Sequence, residues 1–267
     1  MPSILKRDFA PVSGQAWQEI DEVAADAVKR NISARKIVDF SGPHGWELAA
    51  VNLGRLDLQK QPTKEGVAWG ARKVLPLIET RTAFKLNQLE LDNISRGSVD
   101  ADLDPLEDVV TKAARFEDTV IYNGFKKGEM IGMIEASEHR AIKLPADAGE
   151  YPAAISRAAE TLELSGVEGP YALVLGPDQY HGLLHASHHG YPASRIVSDI
   201  IKGQILMSPV LKGGVLASTR GGDFELTVGK DFSIGYANHD RETVELFVTE
   251  SFAFRVLEPK AAIGFTV

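Results

Sequence analysis

Cysteine is absent from the 267-residue chain, which excludes disulfides, thiolate nucleophiles, Cys-type zinc sites and Cys-held iron–sulfur clusters. A fold secured by disulfides for secretion goes with them, while a reducing interior is permitted. Positive charge is also short: 29 Lys and Arg stand against 37 Asp and Glu, a formal net charge of −8. Proteins that coat themselves in nucleic acid carry a basic surplus for phosphate contacts, so this balance argues against a nucleic-acid partner. No stretch approaches the ~18–20 apolar residues of a membrane span. Met1-Pro2-Ser3-Ile4-Leu5-Lys6-Arg7-Asp8 lacks the apolar core and small-residue cleavage site of a signal peptide. The expectation is a cytoplasmic protein with no membrane partner.

Catalytic signatures are equally scarce. No Gly-x-Ser-x-Gly elbow and no phosphate-cradling glycine pattern occurs. Asp100-Ala101-Asp102-Leu103-Asp104 resembles the start of a calcium loop. Pro105, however, stands where that loop needs a glycine turn, and Thr111 where it needs a bidentate glutamate, so helix capping is the better reading. Four of the seven histidines fall between His181 and His189. His181 and His185 would share a helix face at zinc-ligand spacing, but Gly182 replaces the glutamate of a zincin. The run reads as a polar, uncharged, solvated loop, with a pH-responsive or weakly metal-binding rim as the alternative. Asp92-Asn93 and Glu117-Asp118 could in principle be paired carboxylate sites, but nothing fixes a partner and surface charge is the better reading; Arg220-Gly221-Gly222-Asp223 reads as a tight turn. The chain shows no catalytic constellation.

What is present is 44% hydrophobic residues, enough for a proper core. Ser13 is placed to cap a helix to about Asn31, with Trp17, Ile20, Ala24, Ala27 and Val28 on one face. From Leu53 to Ile78 a two-stranded arm with a polar tip is expected; alone it is marginal in water and needs a neighbour to lie on. Asp104 as cap, Pro105 at the first helical position and Glu107 reaching back predict a long helix to Asn123-Gly124. Its apolar stripe runs from Leu106 to Ile121. From about Glu135 to Gly222 an α+β module follows: helices over Pro152 to Ser165, Asp178 to His185 and Pro192 to Ile201, and strands over Tyr171 to Leu175, Gln204 to Met207 and Val215 to Thr219. Alternation through Phe224/Leu226/Val228, Val244/Leu246/Val248 and Phe252/Phe254/Val256 predicts an antiparallel sheet that closes the chain and packs on the long helix. On these features alone, a self-assembling structural protein and an enzyme with dispersed catalytic residues look the same.

Leu5-Lys6-Arg7-Asp8-Phe9-Ala10-Pro11, Asp39-Phe40-Ser41-Gly42-Pro43-His44-Gly45-Trp46-Glu47, Leu91-Asp92-Asn93-Ile94-Ser95-Arg96-Gly97, Glu117-Asp118, Gly169-Pro170-Tyr171, Arg220-Gly221-Gly222-Asp223-Phe224 and Ser233-Ile234-Gly235-Tyr236 resemble, in order and spacing, the encapsulin shell proteins, a linocin-like bacteriocin family. The resemblance implies an α+β fold of the tailed-phage major capsid type. Residues 1–52, 79–134 and 223–267 would form a peripheral domain, 53–78 an extended loop and 135–222 an axial domain. It implies a homo-oligomer of about sixty copies, the number of asymmetric units in an icosahedron. The shell would enclose a cargo enzyme, a ferritin-like protein or a dye-decolourising peroxidase, held by its carboxyl-terminal targeting peptide, with a role in iron storage or oxidative stress. By resemblance the peptide site falls on Val28, Arg35, Asp39, Phe40 and Ile234. Val28, Phe40 and Ile234 would give apolar contact, and Arg35 and Asp39 would act as an orienting charged pair. His185, His188 and His189 would line a five-fold pore. Leu89 precedes Glu90-Leu91-Asp92-Asn93 where flavin-binding members carry an aromatic platform, so no flavin or other cofactor is expected. The expectation is a non-enzyme, with an enzyme of protease or bacteriocin type as the rival reading; a capsid that packages DNA is disfavoured by the charge.

Overall fold

The computed structural model describes residues 4–188 and 190–267. Along the chain, a 3-10 turn at Arg7–Phe9 leads into α1 (Gly14–Asn31). Ser13 Oγ accepts from the Ala16 N–H at 3.1 Å, satisfying one of the donors a helix start leaves unpaired, and Ala16, Ile20 and Ala27 are buried beneath. A second 3-10 turn, Ala34–Lys36, precedes β1 (Asp39–Ser41). The arm is β2 (Ala50–Leu58) paired antiparallel with β3 (Gly70–Pro76), and β4 (Ile78–Asn87) returns to the body. The helix α2 (Gln88–Ser95) is capped by Asn87.

The long helix α3 spans Asp104–Asn123. Its start differs from expectation: Leu103 occupies the cap, Asp102 Oδ1 accepts from the Asp104 N–H at 3.1 Å, and Glu107 turns outward to Arg30 at 2.8 Å. The Asp102 carboxylate takes up the Asp104 N–H, so the helix starts one residue earlier than expected, and Pro105 falls within the first turn, where its missing N–H is no loss. The helix stops at Gly124, where φ is 85° and any side chain would strike the Gly132 backbone.

Then come α4 (Met133–Ala136), β5 (Ile142–Lys143), α5 (Tyr151–Leu164), β6 (Tyr171–Leu175), α6 (Pro177–His185), β7 (Ser187–His188), β8 (Tyr191–Pro192), α7 (Ala193–Ile201), β9 (Ile205–Met207) and β10 (Gly214–Ser218). The chain ends with β11 (Phe224–Val228), β12 (Ser233–His239), β13 (Thr243–Val256) and β14 (Ala262–Thr266).

Two five-stranded sheets organise these elements. In the first, β13 is central: β4 pairs along one edge, while β12 and β11 lie end to end along the other, and β1 adds parallel to β11. The second has the order β5-β14-β10-β6-β9. The final strand therefore leaves the sheet that was expected to close the chain. Residues 262–266 pair with β10 and β5, so the last stretch of the 223–267 segment belongs by hydrogen bonding with the 135–222 block. The reason is local: the 3-10 turn Pro259–Ala261 redirects the chain, and all of Ala262 to Phe265 is buried, as a strand covered on both faces requires.

The apolar interior is in two parts that share α3. Its amino-terminal half, with Leu106, Val109 and Val110, packs against α1, α2, β4 and β12. Its carboxyl-terminal half, with Val120, Ile121 and Tyr122, belongs to the larger core around the second sheet. Contrary to the surface-charge reading, Glu117 and Asp118 lie wholly buried where the two parts meet.

Candidate functional site

Between α1 and β12 opens a cavity of about 570 Å³. Ala24, Ala25 and Val28 of α1 form one wall, Phe232 and Ile234 the other, and Val110 of α3 and Val248 of β13 the floor. Apolar surface of this kind contributes about 25 cal/mol per Å² when a ligand covers it.

Arg35, just after α1, closes one flank. Its guanidinium donates to Glu117 (2.6 Å), Asp231 (2.9 Å) and Glu250 (2.6 Å), and packs over the rings of Phe40 and Phe232 at 5.0 and 5.1 Å. Burial alone would lower the basicity of Arg35, but hydrogen bonds and charge from Glu117, Asp231 and Glu250 outweigh it and raise it above the ordinary value. Burial, reinforced by the neighbouring Glu117 carboxylate, pushes the Glu250 carboxyl well above its usual range.

Beside this cluster, Asp118 accepts from the backbone N–H groups of Ser33 and Ala34 and from the hydroxyls of Ser33 and Ser208, fixing the turn that carries Arg35. Burial raises its pKa against those bonds. The Tyr122 hydroxyl, also raised by burial, lies 2.8 Å from Ser33 Oγ.

Of the residues expected at a peptide site, Val28, Arg35 and Ile234 line this one cavity. Phe40 lies behind it on the Arg35 guanidinium and remains half exposed. Asp39 is elsewhere: its Oδ2 accepts from the Gly222 N–H at 2.6 Å, in a separate small cleft beside the Gly221-Gly222 turn. Arg35 and Asp39 do not form a charged pair: Arg35 packs over Phe40, and Asp39, the neighbour of Phe40 in β1, points to the opposite face of the strand; the acidic partners of Arg35 are Glu117, Asp231 and Glu250. Sequence reasoning gave no site role to Arg7, Asp21, Asp231 or Phe232, although all four line the cavity. Arg7 stands within the Leu5–Pro11 motif that carries the family resemblance, the signal that could have drawn attention to it.

His185 ends α6, and His188 sits in the short β7–β8 ribbon with Nδ1 3.1 Å from the Gly149 carbonyl oxygen. His189 lies outside the described residues. Among the described residues no three His, Asp or Glu side chains converge as a metal site. Among the described residues no helix is long and apolar enough to cross a membrane.

The Linocin_M18 family model, described as an encapsulating protein for peroxidase, matches residues 2–253. The chain is 44% identical over 265 residues to the type 1 encapsulin shell protein of Rhodospirillum rubrum, covering 97% of this chain and 95% of that one. Among solved structures, a virus-like particle from Pyrococcus furiosus aligns with a TM-score of 0.65 at 15% identity, over 92% of this chain and 97% of that one. The Mycobacterium phage Bobi structure aligns at 0.63 with 14% identity, over 88% and 90%. At such identities the likeness concerns fold, and the fold is that of the tailed-phage major capsid proteins.

Proposed function

This chain belongs to the encapsulin shell-protein family, and we propose that it self-assembles into a closed icosahedral shell of about sixty copies that encloses a cargo enzyme. The observation that carries the reading is the arm. Leu56, Leu58, Val67, Trp69 and Val74 are exposed on a two-stranded ribbon, and such a ribbon with bare apolar side chains calls for a covering neighbour. In a shell that neighbour is another subunit. The arm is the extended loop, the second sheet with its helices is the axial domain, and the first sheet with α1 to α3 is the peripheral domain.

The cavity between α1 and β12 receives the cargo's carboxyl-terminal targeting peptide. Val28 and Ile234 supply apolar contact, Arg35 closes the flank and Phe40 backs it. The cargo is a ferritin-like protein or a dye-decolourising peroxidase, and the particle serves iron storage or the oxidative-stress response in the cytoplasm. The shell subunit itself carries out no catalysis. In the assembly, His185 and His188, together with His189, rim the five-fold pore.

Size-exclusion chromatography with electron microscopy, followed by mass spectrometry of what co-purifies, tests the proposal. A particle with an enclosed enzyme is expected. A monomer or small oligomer overturns the shell, an absorbance ratio typical of nucleic acid overturns the protein cargo, and hydrolytic activity of cargo-free subunits restores the enzyme reading. Iron entry into loaded shells should slow when His185, His188 and His189 are all replaced by alanine; an unchanged rate removes these residues from the pore.

A further inference from the structure

The two walls of the cavity are tied together twice. One tie is Arg35, which joins the turn after α1 to Asp231 at the entrance to β12 and is anchored on two buried glutamates. The other involves the first described residues of the chain. Leu5 O accepts from the Tyr236 N–H at 2.8 Å, Lys6 turns the backbone in the left-handed region at φ 51°, and Arg7 Nε then donates to Ile234 O at 2.7 Å. The same guanidinium makes a fork to Asp21 of α1, with bonds of 2.7 and 2.6 Å, and lies 4.3 Å from the centre of the Trp17 ring one helical turn earlier. Arg7 thus holds β12 through its Nε and α1 through its two terminal nitrogens. Between Asp21 and the end of α1 lie about 15 Å of helix, so the ties grip separate points along the walls.

The ties differ in chemistry. Arg35 is largely enclosed, whereas the side chains of Arg7 and Asp21 are 29% and 50% exposed. A pair in that setting is screened by salt; an enclosed one is screened far less. Both Leu5 and Arg7 line the cavity without filling it, so the segment acts as part of the wall.

We propose that Arg7 is a positioning residue of the peptide groove, clasping α1 to the edge of β12 and so fixing the width at which the groove grips an extended, apolar peptide. This rests on the reading of the cavity as a peptide site. The clasp makes retention of the peptide depend on ionic strength even when the peptide itself is uncharged.

The test uses full-length shells dissociated and reassembled with an acetylated, amidated octapeptide alternating leucine with serine and carrying a neutral fluorophore. Bound probe per subunit is measured against probe concentration after gel filtration, which also verifies assembly. Val28→Asp serves as the control for the groove. Wild type should bind, Val28→Asp should not, and Arg7→Ala should bind about fivefold more weakly, with Asp21→Asn similar and Arg7→Lys intermediate. Raising salt from about 0.05 to about 0.5 M should weaken wild-type binding and leave Arg7→Ala unchanged. No binding by the wild type, or full binding by Val28→Asp, overturns the groove reading itself. Binding that Val28→Asp abolishes but that Arg7→Ala and Asp21→Asn leave intact, or an equal salt response in wild type and Arg7→Ala, overturns the clasp alone.

Discussion

Arg35 Nη2 donates to Glu117 Oε2 at 2.6 Å across 82 positions of sequence, and the glutamate it meets has no solvent exposure. The bond joins the turn that follows α1 to the middle of α3, beneath the proposed peptide groove. Removing Glu117 takes from Arg35 its shortest charge-assisted bonds and opens a hole beside α3; Arg35 keeps Asp231 and Glu250, so the cost is that of a buried charged hydrogen bond, about 1.5–3 kcal/mol, and not that of a fully unpaired charge. Glu117→Ala should therefore lower the thermal unfolding temperature of the particle by several degrees, while Arg30→Ala, whose bond to Glu107 is exposed, should leave it nearly unchanged. Equal effects of the two substitutions would show that the buried pair is not structural.

Glu250 predicts how stability responds to pH. Its carboxyl is raised well above the ordinary 4.5, so folded chains keep this proton at pH values where unfolded chains have released it. The unfolded state then binds fewer protons than the folded one, and stability falls as pH rises from that ordinary value through the raised one. Glu250→Gln keeps the acceptor for Arg35 and cannot ionise. The unfolding temperature of Glu250→Gln should match that of wild type near about pH 4 and exceed it by a growing margin toward about pH 8, at most about 1.4 kcal/mol per pH unit within the window. A margin independent of pH would mean that Glu250 is charged in the fold.

These two glutamates also mark where sequence reasoning stops. The helices α1 and α3, the arm and most strands of the second block were legible because hydrophobic periodicity is a local signal. Val28 and Ile234, grouped by resemblance, line one cavity. The partners of Arg35 were not legible, since Glu250 lies 215 positions away and only the packing of β13 against α3 brings it near. Glu117 carried a legible clue: it stands seven residues after Val110 and four before Ile121, on the buried stripe of α3, yet its charge argued for the surface. Asp39 was misplaced for a simpler reason, because adjacency to Phe40 in a strand separates two side chains instead of uniting them. The exit of β14 to the other sheet depends on a single 3-10 turn and has no counterpart in the alternation of its residues.

The arm yields a prediction about assembly. Deleting Gln59 to Val67 removes the tip, including the Val67 side chain and the Thr63–Val67 turn bonds, but keeps most of the β2–β3 ladder. The subunit should still fold, with an unchanged circular dichroism spectrum, because the tip is exposed and lies outside both cores. Size-exclusion chromatography should show smaller or malformed oligomers. Intact particles from the deletion would mean that the tip is dispensable for closing the shell.

Within the groove, the structure ranks substitutions that resemblance placed on an equal footing. Val28→Asp puts a carboxylate into the apolar wall of the cavity. Losing one buried aliphatic contact costs on the order of 1–3 kcal/mol, and desolvating the new charge adds to it. The ratio of cargo to shell protein in purified particles should therefore fall about tenfold or more. Phe40→Ala should have a smaller effect, because the ring does not line the cavity and acts through the Arg35 guanidinium it covers. Asp39→Ala should leave loading unchanged, since its carboxylate serves the Gly221-Gly222 turn on another face. Densitometry of denaturing gels measures all three, with size-exclusion profiles showing that shells still form. The order Val28, then Phe40, then Asp39 follows from where the side chains lie. If Asp39→Ala empties the shells as thoroughly as Val28→Asp, the peptide does not bind in the cavity between α1 and β12.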